Sequence, residues 1–201
     1  MSARPSMESV ETTAEPNGQV DGASGQHVAS VGPAVAPGDS IDPDTYRQAM
    51  ATHAAGVVVV TAPSDRGPVG LTVTSFTSVS LRPPLVSFYV GARASAWPGI
   101  RDAGTFAVNV LGANQHEVAT RFATSGVDRF APPVSWHRSL EEIPLLDGAI
   151  AHILCHHHNV LAVGDHWLVV GRVTGAVSVE AGEPLLYQRG GYARLHPIIE
   201  T

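Results

Sequence analysis

The feature of this sequence that most constrains its fold is a succession of short apolar, β-branched runs, each ended by turn-forming residues. Residues 57–61 form one such run, the segment Asp65-Arg66-Gly67-Pro68 follows, and residues 69–76 resume the pattern. Two runs joined by a short turn of this kind are typical of a β-hairpin. By the same criteria, further strands are predicted at residues 77–81, 85–90, 106–111, 149–161, 167–179 and 184–187.

Helical patterns are confined to three segments. One helix is predicted to begin at Asp42 or Asp44 and to end at Gly56, and the others cover residues 97–103 and 114–122. Strands therefore outnumber helices and do not alternate regularly with them. This order favours a mainly β fold, a closed antiparallel barrel with a few peripheral helices, over a doubly wound sheet.

Residues 1–41 lack both helical and strand periodicity and contain no aromatic residue. We predict that they form a disordered tail, with an arm that wraps a partner subunit as the alternative, and that residues 42–199 form a single domain. The first residues have no apolar core typical of a signal peptide, and no apolar run is long enough to span a membrane. Because the single cysteine, Cys155, permits no internal disulfide, we expect a cytoplasmic protein.

The composition excludes several classes of chemistry. The chain has no lysine, since all twelve of its basic residues are arginine, so Schiff-base, Walker-type and kinase chemistry are ruled out. The net charge of −6 argues against a nucleic-acid-binding surface. His116-Glu117 begins like a metalloprotease motif, but Thr120 occupies the position of the second histidine.

A histidine-rich segment near residue 155 has two interpretations. If the segment is a strand, His152, His156 and His158 share one face, whereas Cys155 and His157 share the other. The first face could hold a metal ion, but carboxylate ligands and spaced second ligands are lacking. A solvated or interfacial histidine cluster without metal is therefore the favoured interpretation.

Residues 70–80 are unusually rich in hydroxyl side chains, with six Ser or Thr residues in positions 72–80. Hydroxyls and backbone N–H groups of this kind can bind a phosphate or a polar chain without lysine. A solvent-facing strand is the alternative. If the segment is extended, alternate residues lie on one side, namely Thr72, Thr74, Phe76, Ser78 and Ser80.

In their order and spacing, these segments resemble the flavin reductase family, the FMN-binding split-barrel reductases of two-component monooxygenases. The similarity covers about residues 44–195, nearly all of the predicted domain. It implies a mainly β fold, an antiparallel split β-barrel with a few peripheral helices. The segments that carry it are residues 55–61, 70–86, 106–111, 121–123, 128–130, 164–166 and 184–192.

The resemblance implies an NAD(P)H:flavin oxidoreductase. A nicotinamide nucleotide, NADH or NADPH, would reduce FMN or FAD by hydride transfer, and the reduced flavin would diffuse to a separate monooxygenase. Members of the family form homodimers. Two alternatives remain open: a flavin-binding carrier without reductase turnover, and a protein whose tightly bound flavin reduces another small molecule.

The resemblance also implies which residues contact the flavin. Ser95, Arg121 and Phe122 would approach the phosphate end, although Ala94 and Ala96 stand where family members often have hydroxyls, which leaves FMN and FAD both open. The ring edge and ribityl chain would be contacted by Thr72, Val73, Thr74, Ser75, Ser78, Tyr89, Val90 and Gly91.

By the same resemblance, His166 of the Gly164-Asp165-His166 segment lies near the nicotinamide and is the catalytic candidate. The alternative is a loop histidine fixed by Asp165. Tyr192 would border the same groove, unless it is a core tyrosine that closes the barrel.

Overall fold

The computed structural model describes residues 40–179 and 182–196, which form a mainly β structure with three helices. The predicted tail lies outside these residues except for Ser40 and Ile41. No helix in the described ranges is long and apolar enough to cross a lipid bilayer. In chain order the elements are α1 (Pro43–Ala51), β1 (Ala55–Gly56), β2 (Val58–Ala62), β3 (Val69–Val73), β4 (Thr77–Leu81), β5 (Pro84–Gly91), α2 (Trp97–Asp102), β6 (Thr105–Val110), α3 (His116–Ala123), β7 (Trp136–Arg138), β8 (Pro144–Leu146), β9 (Ala151–Val163), β10 (His166–Ser178), β11 (Leu186–Gln188) and β12 (Gly191–Ala193).

Seven strands form one antiparallel sheet in the order β3-β2-β6-β9-β10-β5-β4. Two smaller antiparallel groups, β1-β11-β12 and β7-β8, complete the described strands. The prediction of a mainly β, antiparallel fold without a doubly wound sheet is therefore confirmed.

The large sheet curls around one apolar interior. Side chains from β3 at one end of the sheet and from β5 near the other belong to the same buried cluster, which requires the sheet to bend. Phe88 and Phe106 meet edge to face inside it, with ring centroids 5.5 Å apart. The cluster includes Val58, Val60, Val73, Val86, Phe88, Val90, Phe106, Val108, Cys155 and Val169.

A second apolar cluster lies on the outer side of β2, beneath α3. It contains Val57 and Val59 of the β2 segment together with Phe122 of α3 and Leu146 of β8. Because apolar groups cover both faces of β2, all five of its residues are buried, and its sequence, interrupted only by Thr61, does not alternate between apolar and polar residues.

Two predicted boundaries differ from the structure by three residues or more. Helix α1 ends at Ala51 rather than at Gly56, because Ala55 and Gly56 pair with Tyr187 and Leu186 of β11. Strand β3 ends at Val73 rather than at residue 76, and the chain turns before β4 begins. The hydroxyl-rich segment is therefore not one extended strand, and its alternate residues do not share one face.

The face assignment of the histidine segment is confirmed where contacts test it. Cys155 belongs to the inner cluster and His157 packs against Phe106, whereas His152 bonds Asn109 on the outer side and His156 lies 3.7 Å from Glu141. Within the described ranges, no three His, Cys, Asp or Glu side chains are grouped to hold a metal ion.

Candidate functional site

The candidate catalytic histidine lies at a junction of three strands. His166 begins β10 and pairs with Gly91, the last residue of β5, and with Val163, the last residue of β9. Its side chain is about half exposed, and its Nδ1 lies 2.6 Å from Oδ1 of Asp165. The hydrogen bond from His166, with its charge, holds the pKa of the Asp165 carboxyl below its ordinary value. With Nδ1 donating to this carboxylate, Nε2 is directed away from it.

Gly91 leaves the space beside the imidazole open. A Cβ atom at residue 91 would lie 3.9 Å from Nε2 of His166, so any longer side chain would approach the ring. The next row across the same outer face consists of Tyr89, Leu168 and Leu161, which pair across β5, β10 and β9. We call this outer surface, from Gly91 and His166 to Tyr89 and Leu161, the ring face. It offers a flat apolar surface beside a polar ring nitrogen.

One serine fixes the end of β3 against the ring face. Oγ of Ser75 accepts a hydrogen bond from the backbone N–H of Tyr89 at 2.9 Å and donates to its carbonyl at 3.3 Å. The Ser75 side chain thus links the segment after β3 to strand β5 by hydrogen bonds. The hydroxyls of Thr74 and Ser78 are exposed and make no side-chain hydrogen bond to the described residues. Thr74 directly precedes Ser75 and is free to bind a ligand at the edge of the ring face. Ser78 pairs with Val86, whose side chain faces the interior, so Ser78 lies on the opposite face of the sheet from Tyr89.

Four other residues of the predicted flavin site have side chains that are already hydrogen-bonded or buried in the protein. The hydroxyl of Thr72 donates to the carbonyl of Ala119 in α3 at 2.6 Å. Val73, Val90 and Phe122 are buried in the two apolar clusters. These three can offer a ligand only backbone atoms.

Ser95 lies on a small cavity with an arginine that the sequence analysis did not assign. This cavity has a volume of about 180 Å³, and its walls include Gly70, Ser95 and Arg129. We call it the Arg129 cavity. The guanidinium of Arg129 donates to the carbonyls of Gly70 and Thr124, and burial lowers its pKa. Because three of its five N–H groups make these bonds, two remain to bind an anion.

The structure does not bring Arg121 to the same cavity as Ser95. Its guanidinium donates twice to the carbonyl of Asp128, at 3.0 and 2.7 Å. It lines a separate cavity of about 310 Å³ on the exposed side of α3, together with His116 and Thr120. The segment Asp128-Arg129-Phe130 was part of the resemblance, but nothing in the sequence showed which arginine reaches Ser95.

Tyr192 also lies beside α3. Its hydroxyl is 3.3 Å from Oγ1 of Thr120, and its ring meets that of Tyr187 edge to face at 5.5 Å. It is partly exposed and also faces the ring of His116. These contacts place it with Arg121 rather than in the row of His166.

Comparison with known proteins gives a consistent result. Residues 50–196 match a family model described as a flavin reductase like domain. The chain is 36% identical over 159 residues to the reductase subunit HsaB of a flavin-dependent monooxygenase from Rhodococcus jostii (strain RHA1), covering 79% of this chain and 81% of that protein. It is 41% identical over 157 residues to an NADH:FMN oxidoreductase from Rhodococcus erythropolis, covering 76% and 82%.

A solved structure that is similar to this chain is also named for the reduction of a flavin. The NADH:FAD oxidoreductase SgcE6 of Streptomyces globisporus C-1027, in complex with NAD and FAD fragments, superposes with a TM-score of 0.74 at 37% identity. The match covers 81% of this chain and 99% of that one.

Proposed function

This chain belongs to the flavin reductase family, and from that premise we propose that it is an NADH:flavin oxidoreductase. It reduces free flavin and supplies the product to a separate flavin-dependent monooxygenase. The observation that carries the proposal is the ring face, where His166 stands beside an unobstructed Gly91.

The residues around the ring face fit a flavin. The row of Tyr89, Leu168 and Leu161 provides an apolar surface for a planar ring, and the exposed hydroxyl of Thr74, next to Ser75, is suited to its polar edge.

The phosphate end of the flavin is assigned to the Arg129 cavity. Ser95 provides a hydroxyl there, and the two unused N–H groups of Arg129 supply the positive charge. Arginine is the only cationic side chain that this lysine-free sequence can offer at neutral pH. This assignment transfers to Arg129 the role that the resemblance suggested for Arg121.

His166 positions the nicotinamide. When both substrates are bound, the nicotinamide ring supplies a hydride to the flavin, which requires no proton from the protein. Asp165 fixes the imidazole through Nδ1, so Nε2 can hydrogen-bond the carboxamide of the nicotinamide and set its angle above the flavin. Relatives named for NADH support NADH as the donor.

We further propose that the protein acts as a cytoplasmic homodimer. Tyr89 and Leu161 of the ring face and the adjoining Val163 leave more than two-fifths of their surface exposed, so a second copy packed at this face would border the bound flavin. Apolar groups gathered in this way favour burial against a second copy. Light scattering should give twice the mass of the chain, and a monomer at micromolar concentration would contradict this assembly.

The role of His166 is tested by substituting alanine. His166→Ala removes one hydrogen bond to the nicotinamide, so we expect the KM for NADH to rise about three- to tenfold while the Kd for oxidised flavin stays unchanged. His158→Ala is the matched control, because His158 is an exposed histidine of neighbouring β9 outside the site. Unchanged constants for both substrates in His166→Ala would contradict the role.

A further inference from the structure

The ring face and the Arg129 cavity lie near opposite ends of strand β3. Just beyond its end, Ser75 contacts the ring face through Tyr89. Near its start, the carbonyl of Gly70 holds Arg129. The four-residue advance from Val69 to Val73 spans about 13 Å, at roughly 3.3 Å per residue. A ligand that begins at the ring face and reaches the Arg129 cavity therefore points toward the turn that precedes β3.

A larger cavity opens at that turn. It has a volume of about 760 Å³ and lies between the β2–β3 turn and α2. We call it the hairpin cavity. It shares two wall residues, Val69 and Ser95, with the Arg129 cavity, so the two spaces adjoin. A ligand held at Ser95 can extend from one into the other.

The walls of the hairpin cavity combine three kinds of group. Arg66 provides a guanidinium that makes no ion pair or side-chain hydrogen bond with any described residue. Asp65 provides an exposed carboxylate that can accept hydrogen bonds from sugar hydroxyls, and the carboxylate of Asp102, also on the wall, is paired with Arg101. Pro63 and Pro98 add apolar surface suited to a planar base. A cation, acceptors and an apolar wall together match a nucleoside phosphate.

The two volumes favour a dinucleotide over a mononucleotide as the ligand. The Arg129 cavity, at about 180 Å³, is large enough for a phosphate group but lies below the range of about 300–1,000 Å³ typical of ligand pockets. The hairpin cavity lies well within that range. FMN ends at its phosphate and would leave the larger space unused.

We propose that the hairpin cavity binds the adenosine monophosphate half of FAD, so that FAD is the preferred flavin substrate of this protein. The inference rests on the proposed function, because it takes the ring face and the Arg129 cavity as the flavin site. Arg66 then pairs with the second phosphate, which FMN lacks.

Direct binding tests the inference without turnover. Quenching of flavin fluorescence is titrated with FMN and with FAD, in the absence of nicotinamide, for the natural chain, Arg66→Ala and Arg66→Glu. We expect the natural chain to bind FAD about fivefold more tightly than FMN, the upper end of what one partly solvated ion pair allows. Arg66→Glu should raise the Kd for FAD by at least that factor and change the Kd for FMN by less than about twofold.

Arg172→Glu is the matched control, because Arg172 is an exposed arginine of β10 that lines neither cavity. Equal affinities for FMN and FAD, or an unchanged ratio in Arg66→Glu, would overturn the inference. So would a raised KM for NADH with an unchanged Kd for FAD, since the cavity would then bind the adenosine of the nicotinamide nucleotide. Failure of the proposed function is distinguishable, because it would abolish NADH oxidation with both flavins whatever their affinities.

Discussion

The side chain of Asn109 links strands β2, β8 and β9 by hydrogen bonds. Its side chain lies fully buried on β6, where Nδ2 donates to the carbonyl of Val59 and to Oγ1 of Thr61. Its Oδ1 accepts from the backbone N–H of Leu146 and lies 3.0 Å from Nδ1 of His152. One amide thus joins β2, β8 and β9 and uses its full hydrogen-bonding capacity.

Replacing Asn109 should therefore destabilise the protein strongly. Asn109→Ala leaves the N–H of Leu146 and other buried polar groups without a partner, so we expect the free energy of unfolding to fall by about 2–4 kcal/mol. Urea unfolding measures the loss. Asn159→Ala is the control, because Asn159 is an exposed asparagine of β9. A loss below about 1 kcal/mol in Asn109→Ala would refute this account of the network.

At the residue scale, the sequence predicted which kinds of side chain form the site, but not which individual residues. The hydroxyls of residues 72–78 were recognised as a group, but only contacts distant in the chain decide their roles. The hydroxyl of Thr72 bonds the carbonyl of Ala119, and that of Ser75 bonds the backbone of Tyr89. The exposed hydroxyl of Thr74 remains available to a ligand. The choice of Arg129 over Arg121 has the same cause, since it depends on where the loop after α3 meets Gly70.

At the scale of elements, the long strands β9 and β10 each carry one irregularity in their pairing. The pairing of β9 with β10 shifts between Val170 and Gly171 and again between Val173 and Gly175. A Cβ atom at Gly171 would lie 2.4 Å from Cζ of Phe106 and 3.1 Å from Cβ of Cys155. At Gly175 the nearest side-chain atom would be 3.5 Å away, which is ordinary contact. Only the first glycine is required by packing.

This contrast yields a prediction within one strand. Gly171→Ala forces Phe106 out of its position in the core, so we expect it to lower the free energy of unfolding by at least about 2 kcal/mol. Gly175→Ala should change it by less than about 1 kcal/mol in either direction. Chemical denaturation of the two variants provides the comparison. Equal effects would show that the core around Phe106 adapts to the added methyl group.

Most long elements were predictable because their signals are local. The apolar run and turn at residues 57–68 identified the β2–β3 hairpin, and the apolar runs of β9 and β10 were equally clear. The β7–β8 hairpin was missed because its strands have three residues each and are held by Asn109 and by a bond from Thr61 to the carbonyl of Pro144. Ala55 and Gly56 were assigned to a helix, but pairing with β11 overrides that local preference.

At the scale of the whole molecule, two partly buried histidines link folding to pH. His157 donates from Nε2 to the carbonyl of Ile100, while its Nδ1 is buried without a partner among the described residues, and burial lowers its pKa. Burial also lowers the pKa of His152, helped by the nearby His137. Both folded-state pKa values lie below the ordinary 6.5, so the unfolded chain takes up these protons first as the pH falls.

The contribution of His152 and His157 to the free energy of unfolding is therefore fully present above pH 6.5. It decreases as the pH falls below 6.5, until the folded-state pKa values are passed. We expect Tm to be lower at pH 5.5 than at pH 7.5. His157→Gln keeps a donor for Ile100 but cannot titrate, so its Tm should fall less over the same interval. Thermal melts in matched buffers test this, and an identical fall in the variant would exclude His157 as a contributor.

Whether this protein reduces flavin and releases it can be decided by one anaerobic experiment. A catalytic amount of protein is mixed with excess NADH and excess free FAD, and the loss of the flavin's visible absorbance is followed, with FMN in a parallel sample. We expect many flavin molecules to be reduced per chain, at a rate that saturates with free flavin. Reduction that stops at one flavin per chain, or does not occur with either flavin, would contradict this expectation.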